Sequence, residues 1–179
     1  MTYLDSDYRE IITKAVCGRG REVCKSTDYI KPAHRPSSIL GCWVINHIYH
    51  AKKKSDDCVE VHGKYDVNIW YSFNDNTKTE VVSETVHYRD EVKLKHLDDN
   101  CLHDDYEIGV KVVQQPNCLQ CKIEEQGNRI AVEVEREFDV KVIGETKVNV
   151  KVSPTRHDDR KRRFGEDDAR DERHKGKRR

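Results

Sequence analysis

No run of apolar residues in this 179-residue chain approaches the roughly 18–20 needed to cross a bilayer as a helix. The N-terminal Met1–Asp7 carries no basic stretch leading into an apolar one. With no sign of a secretory signal, the chain is expected to be made and kept in a cytosol, without membrane insertion. Net charge is absent as well, at 33 Lys and Arg against 33 Asp and Glu. That balance hides a division: residues 153–179 hold 11 basic and 7 acidic side chains, leaving 22 and 26 for residues 1–152. A body of −4 and a tail of +4 do not call for a nucleic-acid partner. Phosphate loop, nucleophile elbow and Gly-rich fingerprint are all missing. The carboxylates of Asp98-Asp99 and Asp104-Asp105 read as solubilising loop residues. No catalytic residue and no cofactor is expected, and the chain does not read as an enzyme.

What is present is alternation. Tyr65, Val67, Ile69, Tyr71 and Phe73 interleave with Asp66, Asn68, Trp70 and Ser72, and a second alternating run extends from Thr79 to Tyr88. The Asn/Asp-rich connection Asn74–Lys78 makes this pair a β-hairpin. Period two recurs over Tyr106–Val112, Ile130–Val134 and Val140–Val152, with turn chemistry at Gly127-Asn128 and Gly144-Glu145. The fold class expected is all-β, an antiparallel β-sandwich or open barrel. Its length suits one domain, or two small β modules sharing a core. An internal echo bears on that choice. Val59–Ile69 aligns without gaps to Val132–Val142, with five identities, and Thr77-Lys78 and Thr146-Lys147 each open a further Val-rich run. The echo is either a chance likeness of alternating strands or the mark of two related β units packed face to face.

The ends are less regular. Tyr8–Val16 fits a short N-terminal helix, capped at Ser6 or Asp7 and stopped at Gly18, or equally a strand. Residues 25–38, with Pro32 and Pro36, read as a loop. From Ser153 apolar residues almost vanish, so 153–179 is expected to be a disordered mixed-charge tail on a β-rich body spanning 1–152.

Seven cysteines, an odd number, argue against a closed disulfide framework within the chain. In a cytosol they begin as thiols. Cys118-Leu119-Gln120-Cys121, with Cys101 and His103 upstream, could ligate one zinc, giving the alternative of a zinc-stabilised β binding module. The one-residue gap between Cys101 and His103 is unlike a zinc knuckle, however, and no metal is expected. His47 and His50 fall on opposite faces of a strand and cannot share an ion. Trp70 projects from the polar face of its strand. It is either covered by another layer of the chain or a candidate interface residue presented to a partner.

Several strings together resemble a known family. Tyr8–Val16, Pro36–His47, Tyr65–Ser72, Asn76–Val82, Gln114–Leu119 and Ile143–Val148 occur in the order found in the CotE family of outer spore coat morphogenetic proteins of Bacillus and its relatives. The resemblance covers roughly residues 8–152. It implies a structural protein, made in the mother-cell cytoplasm during sporulation and later part of the spore coat. Such a protein self-assembles as a homo-oligomer in a layer around the forespore, attaches to the inner, basement coat and recruits outer-coat proteins. It implies no catalytic residues. The tail departs from the acidic tails of such proteins and ends Lys177-Arg178-Arg179. In a coat exposed to an oxidising exterior, Cys101, Cys118 and Cys121 become candidates for intermolecular cross-linking, ahead of Cys42, whose apolar setting beside Trp43 suggests burial.

Overall fold

The computed structural model describes residues 8–95, 97–125 and 128–152, with the side chains of 102–104 also left undescribed. The expected disordered tail, the N-cap at Ser6 or Asp7 and the turn residue Gly127 lie outside these. Six strands follow in order: β1 (Tyr8–Ile30), β2 (Pro36–Ser55), β3 (Cys58–Phe73), β4 (Lys78–Lys93), β5 (Cys101–Ile123) and β6 (Ile130–Lys151). Among the described residues there is no helix, and none therefore that could cross a membrane. Two compact units divide the chain: residues 12–148, and residues 1–11 with 149–179. Of the second unit only the strand ends 8–11 and 149–152 are described, and all that follows concerns the first.

The sheets are two three-stranded antiparallel arrays, ordered β1-β6-β5 and β2-β3-β4. Hairpins join β2 to β3 to β4 in one and β5 to β6 in the other, while β1–β2 and β4–β5 cross between sheets. The β3–β4 turn is where the Asn/Asp run placed it. Asn74, Asp75 and Asn76 all take positive φ, between 51° and 63°, a region that Asn and Asp tolerate best among residues with a Cβ. Thr77 closes the turn by donating its N–H and its hydroxyl to the Asn74 carbonyl, at 3.1 and 2.6 Å.

The two echoing segments are the central strands, β3 and β6. Their inward positions are fully buried, and they meet across one interior. Tyr65, Val67, Ile69 and Tyr71 cluster with Ile130, Val132 and Val134. Val59 and Val61 cluster with Phe138, Val140 and Val142. The two strands therefore run in opposite directions across the core. The pattern survives because each central strand has a neighbour on both edges and a full layer beneath it.

Three expectations are corrected. The supposed loop 25–38 is mostly strand: β1 continues to Ile30 and β2 begins at Pro36. The inward positions there are Cys24, Ser26, Asp28 and Ile30. The two polar ones hold buried partners, described below, so no apolar alternation marks the strand. Gly18 stops nothing and lies within β1. Gly144-Glu145 is not a turn but the interior of β6, which runs on to Lys151. A Cβ at 144 would come within 3.0 Å of Cys17 Sγ and 3.4 Å of the Tyr106 ring, so a larger residue would press on both.

Candidate functional site

The outer face of the β2-β3-β4 sheet is the first feature. Register places Trp70 between Gly41 and Val81, Asn68 between Trp43 and Ser83, and Asp66 between Ile45 and Thr85. Trp70 is 44% exposed, as expected for a side chain opposite the core-facing Tyr65, Val67, Ile69 and Tyr71, and no layer of described residues covers it. Sequence reading missed its companions. Trp43, Ile45 and Val81 are exposed to a similar degree, and the Trp43 ring leans over the bare backbone of Gly41. The polar groups among them are satisfied locally. Asn68 accepts from Ser83, while Asp66 accepts from Thr85 at 2.6 Å and Asn46 at 2.8 Å. What remains for solvent is an aromatic and aliphatic patch around two tryptophans, a composition typical of binding faces.

The outer face of the other sheet differs. Arg21 reaches Glu137 at 2.6 Å, Lys25 reaches Glu135 at 2.9 Å and Arg19 reaches Asp139 at 3.7 Å. This β1–β6 ladder of ion pairs is solvated and keeps that face polar.

Between the sheets lies a buried polar network that the sequence reading did not find. Arg136, 2% exposed, projects inward from β6 and donates to both oxygens of Asp90 on β4, at 2.6 and 2.7 Å. Its Nη1 donates to Ser26 Oγ at 3.0 Å, and its guanidinium lies 4.0 Å from the Tyr88 ring centre. Tyr65 donates to Asp28 at 3.0 Å, and burial pushes its hydroxyl up to about 12. Tyr88 can sit under the guanidinium only because its register partner is Gly63, where any Cβ would overlap the tyrosine ring. His47 completes the network, with Nδ1 2.8 Å from Gln115 Oε1 and Nε2 2.6 Å from the Tyr88 hydroxyl. A neutral ring fits both contacts, Nδ1–H donating to Gln115 and Nε2 accepting from Tyr88. Burial lowers the His47 pKa accordingly. The signal was available: Arg136 interrupts the inward series Ile130, Val132, Val134, Phe138, Val140, and a charge at such a position needs a partner.

The cysteines fall into two groups. Cys101 is joined to Cys17 by a disulfide within the chain, with Cα atoms 5.9 Å apart. Its thiol is thus taken while that bond stands. Cys118 and Cys121 are free and half-buried, and so is Cys42. All three pack against one core cluster. Residues 118 and 121 would point to opposite faces of a regular strand; a register shift between Cys118 and Gln120 brings both inward. Cys42 lies beside both, close enough for its single S–H to donate to one or the other. The zinc alternative has no support: Cys101 is tied to Cys17, and among the described residues no group of three His, Cys, Asp or Glu side chains could hold a metal.

Comparison with known proteins bears on what a structure of this kind is for. The family model of outer spore coat protein E (CotE) matches residues 7–176. The chain belongs to that family. The match runs well past residue 152, so it takes in most of the mixed-charge segment as well as the β strands. No curated protein and no solved structure matches the chain. As a CotE-family member it is an outer spore coat protein. Its aromatic face and paired sheets are to be read as parts of a coat component.

Proposed function

We propose that this chain is a non-enzymatic scaffold of the outer coat. Made in the mother-cell cytoplasm, it self-associates into a layer around the forespore, attaches to the basement coat and recruits outer-coat proteins. The observation that carries this reading, beside the family, is the exposed Trp43–Trp70 patch on a sheet face whose polar groups are already satisfied. A face of that composition gains by being covered, at about 25 cal/mol per Å² of apolar area removed from water. The edges of both sheets add unpaired backbone groups that neighbouring chains can meet. The β-rich body, residues 1–152, is the assembling part on this reading. Cys118 and Cys121 remain cross-linking candidates between chains only while their thiols stay free, and Cys101 becomes one only if its bond to Cys17 opens.

The test is sedimentation and electron microscopy of the purified full chain and of residues 1–152 at high micromolar concentration. Regular oligomers, sheets or fibres from both are expected. A strictly monomeric full chain would overturn the scaffold reading.

A further inference from the structure

Five cysteines are free, and they are not equivalent. Cys58 is buried at the start of β3. Cys24 faces Asp90 within the core, and burial followed by that carboxylate pushes its thiol up to about 12. Neither is equipped to react. Cys42, Cys118 and Cys121 differ in two respects: they come from facing sheets, and they lie together against one core cluster, where Cys42 interacts with both of the others. Cys42 belongs to edge strand β2, and Cys118 and Cys121 to edge strand β5. His47 and Gln115 form a second contact between the same two strands. The bulge that turns both β5 cysteines inward is what assembles the cluster.

We propose that these three thiols are a site of oxidative modification, at which a low-molecular-weight disulfide is reduced and a covalent bond forms between the two sheets, from Cys42 to Cys121. The Cys121 thiolate attacks one sulfur of the small disulfide, RS–SR, forming a mixed disulfide and releasing one RS⁻. Cys42, deprotonated, then attacks the Cys121 sulfur and releases the second RS⁻. Two protein thiols are oxidised by two electrons, one RS–SR becomes two thiols, and the two protein protons go to solvent and the leaving thiolates. The order follows from the local hydrogen bonds. Where the Cys42 thiol donates to Cys121, the bond lowers the Cys121 pKa and raises that of Cys42, whereas at Cys118 burial outweighs the same donation. Cys118, whose pKa burial raises, is left as the third thiol. The bond would clasp β2 to β5 across the interior, a tie distinct from the Cys17–Cys101 link. It acts within one chain and needs no assembly.

The test is oxidation of the intact, full-length protein with oxidised glutathione, thiol trapping with N-ethylmaleimide, and mass mapping of the monomer band under non-reducing conditions. Free thiols are expected to fall from five to three, with a Cys42–Cys121 linked peptide recovered and Cys24, Cys58 and Cys118 alkylated. In Cys42→Ser the reaction is expected to stop with glutathione on Cys121. Persistence of all five thiols, a stable glutathione adduct in wild type, a bond from Cys42 to Cys118, or Cys42 linked only between chains would each overturn the assignment. The wild-type map decides the matter even if the variant does not fold.

Discussion

Replacing Asp90 with Ala strands a guanidinium inside the sandwich. Arg136 is 2% exposed and would lose its two shortest hydrogen bonds, of 2.6 and 2.7 Å, keeping Ser26 and the faces of Tyr88 and Tyr65. An uncompensated buried charge of this kind costs about 3–5 kcal/mol. With a slope of about 2 kcal/mol per molar urea, the unfolding midpoint should fall by about 1.5–2.5 M. A drop in Tm of roughly 6–20 °C would accompany it. Arg136→Met should cost less, since Asp90 is nearer the surface, at 9% exposure, and can be hydrated or protonated. The double variant Asp90→Ala with Arg136→Met should recover most of the loss, because neither charge then needs a partner. The assay is urea unfolding followed by far-UV circular dichroism for all four proteins. A loss below about 1 kcal/mol for Asp90→Ala, or a double variant as unstable as the two single losses added, would refute the reasoning.

Three further outcomes are expected. The His47 pKa is lowered by burial, so the unfolded chain binds a proton before the folded one does. The stability this contributes is complete above the unfolded value of about 6.5 and is lost as pH falls through and below it. Urea unfolding at pH 7.5 and 5.5 should show a smaller difference in His47→Gln than in wild type, and an unchanged difference would count against the neutral-ring assignment. The Cys17–Cys101 bond closes a separation of 84 residues. Replacing both by Ser should destabilise the oxidised protein by roughly 2–4 kcal/mol, and reduced wild type should match the variant. Trp70→Ala should weaken self-association by about 2 kcal/mol per interface, read by sedimentation. The monomer's β signal should stay unchanged, because the side chain is 44% exposed; unfolding would instead place Trp70 in the core.

How much could be read beforehand depended on whether each inward position was apolar. β3 alternates Tyr65, Val67, Ile69, Tyr71, and the period stands out; its echo in β6 was visible too, but only the strand order shows that both are central. The later part of β1 fails the same test because Ser26 and Asp28 point inward to serve Arg136 and Tyr65. A polar inward residue looks like a loop residue until its partner is known. Gly144 failed differently: its role is to make room for Cys17 and Tyr106, which come from other strands. Trp70 was legible because its facing follows from its own strand. Trp43, Ile45 and Val81 needed the register of two neighbouring strands to join it. The cysteine groupings were least accessible. One pair is 84 residues apart, and the other cluster depends on a bulge that shifts β5 by one residue.

The likeness of β3 and β6 raises a problem of alignment. Slide one sheet past the other by two residues and valine still meets valine or isoleucine over much of the interior, with each strand's inward set unchanged. Apolar contact alone discriminates poorly between such settings. Gly63, Tyr88, Arg136 and Asp90 do not tolerate the slide. A two-residue shift draws the guanidinium away from Asp90 and from the tyrosine face that the missing Cβ of Gly63 makes room for. The buried ion pair thus acts as a key cut at one notch of an otherwise repeating ratchet. Two central strands with so similar an inward pattern settle into one alignment at the point where they differ most.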